Sequence, residues 1–122
     1  MTPLLVVVGA MIGAPARYLT DRYVQSRHES VFPWGTFAVN VVGSFILGFL
    51  TAAADRHGLP SALVTLTGTG FCGALTTYST FSYETVRLIE QRSGFYAVAN
   101  VVASIVAGLG SAVCGATLAA AL

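Results

Sequence analysis

Apolar residues along the chain fall into four runs separated by short polar segments. Leu4 to Ala16 is apolar and continues through Arg17, Tyr18 and Leu19, while Gly35 to Ala54, Leu59 to Tyr83 and Gly94 to Leu122 contain no Asp, Glu, Lys or Arg. Each of the last three reaches the length of about 20 residues that a helix needs to cross the hydrocarbon core. The first falls short before Arg17, which predicts either an arginine inside the membrane or a tilted helix whose side chain snorkels. No basic segment precedes Leu4, so the run reads as a span rather than a cleaved leader. The intervening segments, 22–33, 55–60 and 86–93, leave no room for a soluble domain. The pattern predicts an all-α membrane protein, one domain over 1–122, with four transmembrane helices.

The third run is unlike the others. TGTGFCG (67–73) places Gly68, Gly70 and Gly73 just before Thr76, Thr77, Ser79, Thr80 and Ser82, with Tyr78, Phe81 and Tyr83 threaded between the hydroxyls. Glycines loosen the helix, and the hydroxyls compete for its main-chain hydrogen bonds. A break near the middle of helix 3, around 73–79, is the expected result. Irregular backbone at membrane depth is tolerated only inside protein or beside water, where free carbonyls can hold a cation and amides and hydroxyls can face an anion. Tyr78 and Phe81, three apart, can project together, and ring edges are positive enough to favour an anion without a fixed charge.

Neutral polar residues also recur at helical spacing. Thr36, Asn40, Gly43 and Ser44 share one face of helix 2, and Tyr96, Asn100, Ser104, Gly108 and Ser111 share one face of helix 4. Either stripe alone is explained by hydrogen bonding between helices. Two stripes and the hydroxyl cluster together describe a hydrogen-bonding track for a small, strongly hydrated anion: donors replace its water, and no buried cation traps it.

Composition agrees with the bilayer as solvent. The chain is 55% hydrophobic and 9% charged, with a formal net charge of +1, which gives no basic field for nucleic acid. No nucleophile and base pair, paired intramembrane carboxylates or metal-ligand cluster points to an enzyme. Cys72 and Cys114 lack CxxC spacing and read as small packing residues, and His28 and His57 as solvated loop residues. Gly9 and Gly13 form a GxxxG step, and Gly108, Gly110 and Gly115 give helix 4 a small-residue surface. Four thin helices bury little polar surface alone, which predicts a dimer.

GAMIGAPARY (9–18), WGTFAVNVVGSFILG (34–48) and GFCGALTTYSTFSYE (70–84) resemble the small bacterial fluoride channels called Fluc or CrcB, and the likeness runs over essentially the whole chain. The resemblance implies an antiparallel, dual-topology dimer in the inner (plasma) membrane, with two fluoride pores that export fluoride passively. It implies a structural sodium ion at the dimer centre, held by the backbone carbonyls of Gly73 and Thr76. It places the pore aromatics at Tyr78 and Phe81, further pathway residues at Asn40, Ser79, Thr80 and Ser104, and a vestibule cation at Arg17. Tyr78 departs from the Phe usual in the family and adds a hydroxyl that can donate or narrow the pore.

Arg17 also has a structural reading, pairing with Asp21 one turn later. Arg22, Arg27, Arg87 and Arg92 fall in the first and third inter-span segments, against Arg56 alone in the second. That bias leaves two assemblies open, a homodimer and a pair with an oppositely oriented homologue. The competing function is an ion-coupled exporter of the small multidrug type, which would want a membrane-embedded carboxylate. No Asp or Glu precedes Asp21 in helix 1. A noncatalytic assembly subunit would leave the break and the stripes without a purpose.

Overall fold

The computed structural model describes residues 2–28 and 32–122, so part of the segment expected to join the first two helices lies outside the described residues. Four passes are formed. Helix α1 is Thr2–Ser26, α2 is Trp34–His57 and α6 is Gly94–Ala121, each long and apolar enough to cross a membrane. The third pass is interrupted. Its first half comprises α3 (Ser61–Val64), a π-helical stretch (Thr65–Cys72) and α4 (Gly73–Leu75), and its second half is α5 (Ser79–Glu90).

Helix α1 is longer than its apolar run. Arg17, Asp21 and Arg22 lie within it rather than beyond it, because charge ends the stretch that suits lipid but does not end helical hydrogen bonding. Arg22 donates from Nη1 to the Tyr18 hydroxyl at 3.1 Å, and the Arg27 guanidinium lies 5.0 Å from the Tyr23 ring centre. Helix α2 starts within a cluster of Phe32, Trp34 and Phe37 rings, and the amide of Gly35 donates to Gln25 Oε1 of α1 at 2.9 Å. That bond satisfies one of the orphan amides of the α2 N-terminus, where Pro33 gives no side-chain cap. At the other end Gly58 adopts the left-handed conformation, φ 66°, and closes the helix on Ala54 O.

Helix α2 makes its most extensive contact with α6, and α1 with the π-helical stretch. The second contact depends on bare backbone. A Cβ at Gly9 would meet Leu66 O and lie 2.8 Å from Gly70 Cα, and one at Gly13 would meet Phe71 O. The GxxxG step of the sequence thus faces the first half of the third pass. Gly43 makes the corresponding allowance on α2, since a Cβ there would overlap the methyl group of Thr76.

Candidate functional site

Thr76 ends α4 by turning to an extended backbone, φ −81° and ψ 159°, and α5 resumes at Ser79. Local hydrogen bonds account for the turn. Thr76 directs both its amide, at 3.0 Å, and its hydroxyl, at 2.8 Å, to Cys72 O. Asn40 of α2 then takes both polar groups of the next residue: Thr77 N donates to Asn40 Oδ1 at 2.8 Å, and Asn40 Nδ2 donates to Thr77 O at 3.0 Å. Thr77 Oγ1 accepts the amide of Thr80 at 3.1 Å and so caps α5. One neutral carboxamide replaces the helix ladder across the break.

These bonds decide which carbonyls are released. The amide of Thr77 would close on Gly73 O in an uninterrupted helix, and the amide of Thr80 on Thr76 O. Both amides are engaged elsewhere, by Asn40 Oδ1 and Thr77 Oγ1. Gly73 is exposed, and a Cβ there would meet nothing within 4 Å. Thr76, by contrast, is half-buried beneath the turn.

A groove of about 610 Å³ runs beside the break. Asn40, Thr76, Thr77, Tyr78, Phe81 and Ser104 line it with Gly43, Ser44 and Gly73, so α2, the third pass and α6 all contribute. The Tyr78 and Phe81 rings lie 6.1 Å apart at 43° to each other, and Tyr78 is 80% exposed. The lining is neutral throughout. A second groove along the seam of α2 and α6 shares Ser44 and Ser104 with the first and reaches Thr51 and Asp55.

The site expected from sequence is therefore gathered in part. Asn40, Gly73, Thr76, Tyr78, Phe81 and Ser104 come together, whereas Ser79 and Thr80 open α5 outside the groove lining, and Arg17 stands half-buried on α1, also outside it. The helix 2 stripe divides. Asn40 and Ser44 reach the groove, but Thr36 is buried outside its lining. Asp21 Oδ1 and Glu84 Oε1 lie buried nearby without a hydrogen-bond partner among the described residues, and Gly35 is bare where a Cβ would overlap Asp21 Oδ1.

Two further residues matter to the site, Thr77, known from sequence only as one of the hydroxyl cluster, and Thr85, which sequence reasoning passed over. Thr77 serves through its backbone and its capping hydroxyl, and Thr85 of α5 is tied to α6, accepting from Asn100 Nδ2 at 2.9 Å. Thr85 sits one turn beyond Phe81, a spacing that would have flagged it. Cys72 is a buried free thiol beside the groove, and Cys114 is free and exposed, with no disulfide between them.

Four helical passes, three of them continuous apolar spans, define a multi-pass membrane protein. The chain belongs to the family described as CrcB-like protein, Camphor Resistance (CrcB), whose model matches residues 4–116. It is 62% identical to a fluoride-specific ion channel FluC 1 of Streptomyces avermitilis over all of this chain and 98% of that one. It is 56% identical to a protein of the same name from Frankia casuarinae, over all of this chain and 98% of the relative. A Thermobifida fusca relative, also named fluoride-specific ion channel FluC 1, is 48% identical over 94% of this chain and 92% of its own length.

Proposed function

We propose that the chain forms a fluoride-selective channel that passively lowers cytoplasmic fluoride. The observation that carries this reading is the groove itself, where Asn40, Thr76, Tyr78, Phe81 and Ser104 meet across the helix break without a charged lining residue. Fluoride gives up its hydration only to comparable donors. Asn40 spends one of its two N–H bonds on Thr77 O and keeps the other. The hydroxyls of Ser104, Ser79 and Thr80 and the ring edges of Tyr78 and Phe81 extend the track, and Arg17 concentrates anions at a pore mouth. Neutral donors bind weakly enough to release the ion.

A groove with this many polar groups cannot face lipid, so a second copy closes it, packed antiparallel to the first. A homodimer needs no other gene product, and an oppositely oriented homologue is the alternative assembly. At the centre of the dimer the carbonyls of Gly73 and Thr76 from both protomers converge on sodium. The cation relieves repulsion among the oxygens and fastens the dimer without being transported.

Efflux from proteoliposomes containing the purified protein tests the reading, with fluoride and chloride measured in parallel. Rapid fluoride loss with little chloride loss, independent of a proton gradient, is expected, and flux that requires such a gradient would replace the channel with a coupled exporter. For the sodium site, exchange of sodium for a large organic cation should slow fluoride efflux. Thr76→Ser, which keeps the carbonyl, should retain flux, and Gly73→Val should lose it together with the dimer.

A further inference from the structure

The buried face between α5 and α6 holds a chain of hydrogen bonds whose two ends both belong to the groove. Thr85 Oγ1 donates to Phe81 O at 2.8 Å, spending its only proton within its own helix. It can then meet α6 only as an acceptor, and Asn100 Nδ2 donates to it at 2.9 Å. This fixes the carboxamide. Its nitrogen faces α5, and its Oδ1 faces along α6 to Ser104 Oγ, 3.4 Å away. Asn100 is 1% exposed, so water cannot replace a partner that is lost.

We infer that Asn100 is a positioning residue for the anion groove, acting on Phe81 through Thr85 and on Ser104 through its own Oδ1. Helix α5 follows directly on the break, so its rotation has no continuous helix behind it. The Asn100 to Thr85 bond supplies that constraint from α6 and holds the Phe81 ring at the groove wall. The other end of the chain controls a proton. While Ser104 donates to Asn100 Oδ1 it shows the groove lone pairs, which repel an anion. Its bond is the longest of the three, so a passing anion competes with Asn100 for the serine proton and releases it afterwards. The inference rests on the channel reading above, and no part of it requires Asn100 to touch the ion.

The test is fluoride efflux from proteoliposomes for the unaltered protein, Asn100→Leu, Thr85→Val, Thr85→Ser and the double variant Asn100→Leu/Thr85→Val. The efflux rate constant of active vesicles is separated from the fraction of vesicles that are active. Asn100→Leu and Thr85→Val should each lower the rate constant about tenfold. Thr85→Ser, which keeps the hydroxyl, should stay within about twofold of the unaltered protein, and the double variant should be no slower than Asn100→Leu because both changes remove one bond. A defect of folding alone would lower the active fraction and leave the rate constant in place, which would overturn the proposal. So would unaltered rate constants in both single variants, equal loss in Thr85→Ser and Thr85→Val, or multiplicative loss in the double. No fluoride efflux from the unaltered protein would overturn the channel reading and this inference with it.

Discussion

The two halves of the third pass are held by different physics. Residues 65–75 press bare backbone against α1, where Gly9, Gly13 and Gly70 bring main chains into contact without a polar side chain. Helix α5 is held instead by donors and acceptors, through the Thr77 cap at its start and the Thr85 to Asn100 bond along its flank. The first contact is a question of volume, and any added atom offends it. The second is a question of pairing, and an isosteric substitution that removes one partner suffices to damage it. Rigidity sits before the break and orientation after it.

The largest effect expected from breaking this contrast is at Gly9. Gly9→Val drives a branched side chain into the backbone at Leu66 and Gly70, and should cost roughly 3 kcal/mol or more, at the upper end of overpacking penalties. Loss of monodisperse protein on size exclusion, or a collapsed melting temperature, is the readout. A variant that melts like the unaltered protein would show that α1 can move away from the third pass.

Asn40→Leu comes next and attacks pairing with little change of volume. It strands the amide and carbonyl of Thr77, at a cost of about 2 kcal/mol. Asn40→Asp sharpens the case, because the carboxylate still accepts from Thr77 N but cannot donate to Thr77 O. It also sets a negative charge on the groove wall, where poor screening makes repulsion of an anion strong. Thermal melting should rank Asn40→Leu as the less stable variant if pairing dominates, and fluoride efflux should fall sharply in both.

Phe81→Ile separates the two halves by function. Its ring is half-buried at the groove, so the change should cost about 1 kcal/mol of stability or less while fluoride efflux falls strongly and the dimer persists. Unchanged efflux would remove the ring from the pathway. The smallest effect on the single chain is expected at Gly73→Ala. A Cβ there meets nothing within 4 Å, so protomer stability should move by about 0.5 kcal/mol or less. Weaker dimerisation or a raised sodium requirement would then locate its consequence in the assembled protein.

Much of this was legible in the sequence because hydropathy and helical period report solvent and face. The four passes follow from charge-free runs, and the crowd of hydroxyls after three glycines places a break in 73–79, where the extended turn at Thr76 is found. Helix ends were less legible. Helix α1 runs to Ser26 because charged residues continue a helix that the apolar run cannot. Partners were least legible of all. Periodicity put Asn40 on a polar face but could not say that it meets the backbone of Thr77, and it gave Thr36 the same face although Thr36 is buried outside the groove lining. Nor does TLTGTGFC announce a π-helical stretch, since the wider winding depends on what packs against it.

The contact of Gly43 with the Thr76 methyl has a consequence for how the sequence can drift. The two positions exchange volume across the groove, so neither is free to change alone: a Cβ acquired at 43 overlaps the methyl, and serine at 76 removes it while keeping hydroxyl and carbonyl. Thr76→Ser therefore opens the way for Gly43→Ala, and the reverse order passes through a crowded intermediate. Among descendants of this chain, alanine at 43 should be met with serine at 76, a historical trace of one methyl group at the turn in the third pass.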